Sequence, residues 1–331
     1  MDVTTRDSSA TGGIRVMDMA ARADDGVALA GTLTLPAGAG PHPAALLLPG
    51  SGRLDRDSNA GRLRMSLGGP LAEALARRGV ASLRYDRRGV AQTPGDWRSV
   101  GFLDNRADAA AALRALRRHP EIRAGATGVI GHSEGAVHAV WLGAHERPAA
   151  VVLLAGYARP GRQALFWQAA RIADTLPRPL RPLLPLVRRI ALGKLARLER
   201  TTTDTARIGG VRTNARWWRE QLAYDPRVDL ARIQSPVLAV TGDKDIQVAP
   251  DDLAEVERLV PDDVEIHRIP DLTHLLRRDA GRPSLLSYSR LLRQPVDADL
   301  LAHVADWTST QLQSHDWPAT GMTRSSGPYL Q

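Results

Sequence analysis

Apolar positions in this chain gather into short dense runs, and most of the stretches between them carry helical spacing. Eight runs read as strands: 14–19, 27–36, 44–48, 81–85, 127–130, 150–154, 236–241 and 264–269. The first two lie close together and alternate apolar with polar, as half-exposed strands do, so an antiparallel edge hairpin is expected there. Later runs such as Ala44-Ala-Leu-Leu-Leu48 and Pro236-Val-Leu-Ala-Val-Thr241 are apolar throughout, which is the mark of parallel strands covered on both faces. From the third run onward, helical stretches or one longer insertion separate the strands. That alternation predicts an α/β fold, a mostly parallel doubly wound sheet of eight strands with flanking helices.

The insertion lies between the runs ending at Leu154 and starting at Pro236, and charge sets it apart. The 331-residue chain has a formal net charge of +8. From Arg159 to Arg219 there are fourteen Lys/Arg against three Asp/Glu, a surplus of eleven, so the rest of the chain is slightly acidic. Residues 159–224 are therefore expected to form a basic, helical cap over a core built from 14–158 and 225–314. Within the cap, Leu180 to Leu198 interleaves Leu, Ile and Val with Arg and Lys. A helix of that kind is expected to bury its apolar face on the core with its arginines in solvent. The other reading is peripheral contact with a lipid interface. Nucleic acid is not an expected partner, because no recognition motif accompanies the charge.

Chemistry enters at Thr127-Gly-Val-Ile-Gly-His-Ser-Glu-Gly135, where an apolar strand runs through G-x-S-x-G into a helical pattern. A sharp strand-to-helix turn thrusts its serine hydroxyl above the sheet, and Gly131 and Gly135 relieve the crowding around it. Ser133 is the candidate nucleophile. A hydroxyl is a poor nucleophile until an imidazole takes its proton and a carboxylate holds that imidazole in the right tautomer. The strand 236–241 ends in Gly242-Asp-Lys-Asp245, which offers Asp245 as the acid, with Asp243 as the other choice. The strand 264–269 is followed by Pro270-Asp-Leu-Thr-His274, so His274 is the candidate base. Charge developing on a carbonyl oxygen also needs donors. The backbone N–H of Glu134 and that of Ser51, in the turn Pro49-Gly-Ser-Gly52, are the candidates. Asp55 and Asp57 are expected to anchor this turn, and Asp86 to pair with Arg87 or Arg88. Phe166, Trp167, Trp217 and Trp218 fall in the cap of a chain with only 4% aromatic residues, and packing of the lid is their expected role.

The run Leu48-Pro-Gly-Ser-Gly-Arg-Leu-Asp-Arg-Asp-Ser-Asn59 resembles the G-S-G-P-x-D-R-D-x-N oxyanion loop of a bacterial branch of α/β-hydrolase esterases grouped with serine aminopeptidase-like hydrolases. The likeness continues through Tyr85-Asp-Arg-Arg-Gly89, the elbow, Leu222-Ala-Tyr-Asp-Pro226, Gly242 to Asp245 and Leu272-Thr-His274, covering roughly residues 14 to 312. Two departures stand out: Arg53 replaces the loop proline, and Ala136 replaces a second glycine after H-S-E-G. The resemblance implies an α/β-hydrolase fold and hydrolysis of small carboxylic esters through an acyl-enzyme, with no metal or organic cofactor. Peptidase, amidase or acyltransferase chemistry on the same three residues, or ligand binding without turnover, are the alternatives.

Composition adds boundaries. The length suits one large α/β domain with an insertion or two ordinary domains. With no cysteine, disulfides and thiolate metal sites are ruled out. Residues 1–13 and 315–331 are polar or rich in Gly and Pro and are expected to be disordered. No run approaches the 18 or so apolar residues of a spanning helix, and a cytoplasmic location is expected.

Overall fold

The computed structural model describes residues 7–11, 13–175, 179, 182 and 184–314, and for 7–11 the backbone alone. The tail 315–331, the first six residues and parts of 176–183, including Leu180 to Pro182 in part, lie outside the described residues. All eight expected strands are present in one sheet. In chain order the core begins with β1 (Asp7–Thr11), β2 (Ile14–Arg22), β3 (Ala28–Leu35) and β4 (His42–Leu48). The short hairpin of β5 (Asn59–Ala60) and β6 (Leu63–Arg64) precedes α1 (Gly68–Ala76) and β7 (Ala81–Tyr85). Then come α2 (Phe102–Arg117), β8 (Ile122–His132), α3 (Glu134–His145) and β9 (Ala150–Leu154).

The insertion contributes α4 (Gly161–Asp174), α5 (Leu184–Glu199), the hairpin of β10 (Thr205–Ile208) and β11 (Val211–Asn214), and α6 (Ala215–Ala223). After it follow α7 (Arg227–Leu230), β12 (Val237–Gly242), α8 (Asp252–Leu259), β13 (Val264–Ile269), α9 (Tyr288–Leu291) and α10 (Ala298–Ser314). The main sheet runs β1-β2-β3-β7-β4-β8-β9-β12-β13, so a ninth strand, β1, extends the expected eight from within the segment 1–13. Strands β2 and β3 form the expected antiparallel hairpin, β3 meets β7 antiparallel, and every pairing from β7 to β13 is parallel.

Alternate residues of each central strand serve opposite faces. Leu46 and Val129 join a core under α2, α3 and α8, with Leu113, Leu116, Leu142 and Val256. Leu47 and Ile130 join a second core under α1 and α10, with Leu71, Leu75, Val304 and Trp307. Burial on both faces is why these strands read as unbroken apolar runs. Parallel winding then brings the loops after β4, β8, β12 and β13 to one edge of the sheet, where α/β proteins carry their chemistry.

The insertion is not purely helical, because it contains the β10–β11 hairpin. Gly209 and Gly210 sit at φ 58° and 82° between Ile208 and Val211, the two left-handed positions that a two-residue hairpin turn demands. Helix α5 also departs from expectation. Leu186, Val187, Ile190 and Leu192 are 58%, 55%, 50% and 39% exposed, and of its residues only Leu198 is buried, against Ile208 and Ala215. The helix rests on its neighbours by its C-terminal end, so its spacing produced an amphipathic face without a core to receive it. Among the described residues no helix is long and apolar enough to cross a membrane.

Candidate active site

Ser133 occupies the turn between β8 and α3 at φ 55°, ψ −117°, a strained conformation for a residue with a side chain. The surroundings hold it there. Its N–H donates to the Leu154 carbonyl at 2.9 Å. A Cβ on Gly131 would stand 2.1 Å from the Gly135 carbonyl oxygen, and one on Gly135 would stand 2.2 Å from that of Leu48. Both glycines are thus required by close backbone approach, as the motif suggests.

The structure brings Ser133, His274 and Asp245 together from three loops. The Ser133 hydroxyl lies 3.1 Å from His274 Nε2, and His274 Nδ1 lies 2.8 Å from Asp245 Oδ2. His274 and Asp245 are buried, and the second carboxylate oxygen of Asp245 accepts the N–H groups of Gln247 and Val248 at 2.7 and 2.9 Å. A carboxylate can only accept, so Nδ1 of His274 carries the proton and Nε2 is left to accept from the serine. Asp243 takes another part: its side chain accepts the Asp271 N–H at 2.7 Å and shapes the turn leading to His274.

The turn after β4 abuts this trio. A Cβ on Gly50 would meet Ser133 Cβ at 3.4 Å and His132 Nδ1 at 3.3 Å. Among the described residues, the N–H groups of Ser51 and Glu134 have no hydrogen-bond acceptor. Glu134 opens α3, where helix geometry leaves its amide unpaired. The turn is tied down as expected, although by different partners. Asp86 pairs with Arg56 at 2.6 Å and also accepts its backbone N–H at 2.8 Å. Arg87 and Arg88 point elsewhere, to Glu134 and to Asp108 with Asp25. Asp55 accepts the N–H groups of Asp57 and Asn59, and Asp57 receives Arg84 at 2.8 Å.

Four residues, Glu134, Arg87, His132 and Arg277, gain roles that the chain pattern does not spell out. The carboxylate of Glu134 is buried beside the serine, and its Oε1 accepts from His138 (3.0 Å), Trp217 (3.2 Å) and Asn105 (3.3 Å) and faces Arg87 at 3.1 Å. Burial by itself would raise this carboxyl. The Arg87 charge and the bonds from His138 and Trp217 outweigh it and hold the pKa at about 2. Arg87 also donates to the Pro49 carbonyl at 3.1 Å, so one guanidinium joins the elbow to the turn after β4. His132 donates Nε2–H to the His274 carbonyl at 2.9 Å, and burial, then the neighbouring His274, lower its pKa to about 3, keeping it neutral. Arg277 is buried and donates to the carbonyls of Leu275 and Met65 at 2.6 Å each, burial lowering its pKa to about 10. Their signal was present for His132 alone, as the residue before the motif serine.

Trp217 packs on Phe102 and Val137 and Trp218 on Leu198 and Ile208, in keeping with the packing role expected for them, and both also line a cavity together with Trp97. On the edge strand β13 and on α10, Glu265, His267 and His303 each offer one ligand atom, all within 4.8 Å of one another.

This fold and this geometry define an α/β-hydrolase with its serine on a strand-to-helix elbow. The chain belongs to the serine aminopeptidase, S33 family, whose model matches residues 66–280. It is 26% identical over 288 residues to the esterase EstD of Thermotoga maritima, covering 84% of this chain and 65% of that protein. The chain therefore spans just under two thirds of that relative. Among solved structures it is similar to Est1E of Butyrivibrio proteoclasticus with ferulic acid bound, at TM-score 0.63 and 17% identity over 89% of this chain and 99% of the other. The α/β-hydrolase GrgF of Penicillium sp. sh18 matches at TM-score 0.60 and 16% identity, over 90% and 99% of the two chains.

Proposed function

We propose that this protein is a serine hydrolase that cleaves small carboxylic esters through an acyl-enzyme. The observation that carries the reading is the continuous chain from Ser133 Oγ to His274 Nε2 at 3.1 Å and from His274 Nδ1 to Asp245 at 2.8 Å. Ser133 attacks the ester carbonyl as its proton passes to His274 Nε2, and the Ser51 and Glu134 amides receive the developing oxyanion. Collapse of the tetrahedral intermediate breaks the bond to the alkoxy oxygen, which leaves as the alcohol with the proton from His274. Water then gives a proton to His274 and attacks the acyl carbonyl, and collapse of this second tetrahedral intermediate breaks the bond to Ser133 Oγ, which takes the proton back from His274 as the acid leaves. Asp245 keeps the imidazole in its tautomer and stabilises its charged form. The esterase relative supports esters over amides as substrates.

Intact mass after treatment with a fluorophosphonate tests the nucleophile: one adduct on wild type and none on Ser133→Ala, with p-nitrophenyl acetate turnover lost in the variant. A folded wild type that takes no adduct overturns the assignment. Turnover of p-nitroanilides above the matched esters would move the reading to a peptidase.

A second element of the proposal concerns the cap. Helix α5 exposes Leu186, Val187 and Ile190 beside Arg188, Arg189, Lys194 and Arg197, none with an acidic partner among the described residues, which supports peripheral contact with anionic lipid. Sedimentation with phosphatidylserine vesicles is expected to pellet wild type and to leave Leu186→Asp/Ile190→Asp in solution. Equal recovery of the two in the pellet refutes the contact.

A further inference from the structure

The cavity between core and cap has a volume of about 370 Å³, enough for a substrate arm, and its wall is unlike the rest of the molecule. Three of the chain's seven tryptophans line it: Trp97 from the loop after β7, and Trp217 and Trp218 from α6. Trp217 and Trp218 meet edge to face with centroids 4.9 Å apart, offering flat ring surfaces. The cavity adjoins the reacting centre on two sides. Ser51 and Gly52 of the oxyanion turn are in its wall, and Trp217, Asn105 and Arg87 of the same wall hold the carboxylate of Glu134, the residue after Ser133.

Charge gives the wall a sign. Arg87 and Arg88 line it with their charges met by Glu134, Asp108 and Asp25. Around Trp97 and Arg212 the balance fails. Arg212 lies 3.3 Å from Asp96 and Arg98 4.0 Å from the same carboxylate. Arg53 has no acidic partner among the described residues, and its guanidinium sits 5.7 Å from the centre of the Trp97 ring, with that of Arg98 at 4.9 Å. Of these three guanidinium groups, that of Arg212 belongs to the cavity wall, those of Arg53 and Arg98 adjoin it through the Trp97 ring, and Asp96 is the carboxylate that Arg98 and Arg212 share. Arg53 is also the position where the loop departs from the proline of the resembling family.

We infer that this cavity is the specificity pocket of the site and takes a planar aromatic arm bearing an anionic group, a carboxylate or its like. The ring would lie among the tryptophans and the charge between Arg53 and Arg212, which are specificity-determining residues. The inference rests on the esterase reading above and names the substrate class within it.

The test compares kcat/KM for esters differing by one carboxylate, in two arms. Monomethyl terephthalate against methyl benzoate puts the charge on the acyl side, and 4-carboxyphenyl acetate against phenyl acetate puts it on the alcohol side. In one arm, wild type is expected to favour the anionic ester severalfold or more, and the preference is expected to shrink in 1 M NaCl as exposed charges are screened. Arg53→Ala/Arg212→Ala is expected to lower the anionic-to-neutral ratio by about tenfold, each half-exposed charge being worth a few-fold. Arg53→Glu is expected to reverse the preference, and a circular dichroism spectrum like that of wild type keeps misfolding from imitating the result. Wild-type preference for the neutral ester in both arms, or a ratio unmoved by both variants, overturns the inference while leaving the esterase reading intact. No turnover of any of the four esters, with no fluorophosphonate adduct, overturns the esterase reading and this inference with it.

Discussion

Replacing Gly135 by alanine should disable the site while changing no polar group. The added Cβ would stand 2.2 Å from the Leu48 carbonyl oxygen, 2.7 Å from its carbon and 2.7 Å from the Pro49 oxygen. All three are backbone atoms, and ordinary Cβ···O contact begins at about 3.2 Å, so something must move by roughly 1 Å. Helix α3 is held by a buried face that includes Val137, Val140 and Leu142, which leaves the end of β4 and the turn beyond it to give way. That turn carries the Ser51 amide, and its Gly50 packs on Ser133. A misplacement near 1 Å costs about 10²-fold in rate, and loss of one oxyanion donor about 10²- to 10³-fold. The expected loss in kcat/KM on p-nitrophenyl acetate is therefore about 10²-fold, equivalent to roughly 2.7 kcal/mol of transition-state stabilisation. Gly143→Ala, on the same helix, is the control. Its Cβ would meet only side-chain atoms of Ile233 and Val151, at 3.1 to 3.2 Å, which can shift by a few tenths of an ångström. It should keep activity within a few-fold of wild type. Gly135→Ala protein that is folded by circular dichroism and works within threefold of wild type would refute the reasoning from Cβ contact to oxyanion geometry.

Asp245→Asn should lower kcat by about 10³- to 10⁴-fold with the fold intact. The N–H groups of Gln247 and Val248 select the amide oxygen at one position and leave its NH₂ facing His274 Nδ1, forcing the wrong tautomer; stopped-flow acylation rates check this. Arg277→Met should destabilise the protein by about 2 to 4 kcal/mol in urea unfolding, because the buried carbonyls of Leu275 and Met65 lose their donor. Acidification should weaken the fold in two steps of the same sign. His132, lowered from 6.5 to about 3, and Glu134, lowered from 4.5 to about 2, each favour the deprotonated form in the folded state. Their contributions are complete above the unfolded values and are lost as pH falls through the folded ones. Thermal unfolding of Glu134→Gln should accordingly show a flatter pH dependence than wild type between pH 4.5 and 2, and parallel curves would refute the assignment of that window to Glu134.

Much of this molecule was legible in one dimension because it is built from local regularities. Two-sided burial writes itself as unbroken apolar runs at 44–48, 150–154 and 236–241, and the alternation of those runs with helical spacing implies parallel winding. Parallel winding in turn sends the ends of β4, β8, β12 and β13 to one edge, which is why Ser51, Ser133, Asp245 and His274 could be named from their places after strands. The elbow was readable for the same reason: Gly131 and Gly135 answer to crowding within a few residues and from the neighbouring strand β4.

Partnership was decided only in three dimensions. Asp86 has two arginines beside it in sequence and pairs with Arg56, thirty residues away. Glu134 entered as a backbone amide and proved to be a buried carboxylate serving His138 on its own helix and Arg87, Asn105 and Trp217 from three other segments. Trp97 joins Trp217 and Trp218 in one cavity wall across more than a hundred residues of chain. The apolar spacing of α5 was visible, and the absence of a core beneath it was not. Periodicity records which face of an element is apolar, since that follows from the geometry of a single helix or strand. Which partner meets that face, and which charge meets which, depends on how distant segments pack, and no short stretch of sequence carries that information.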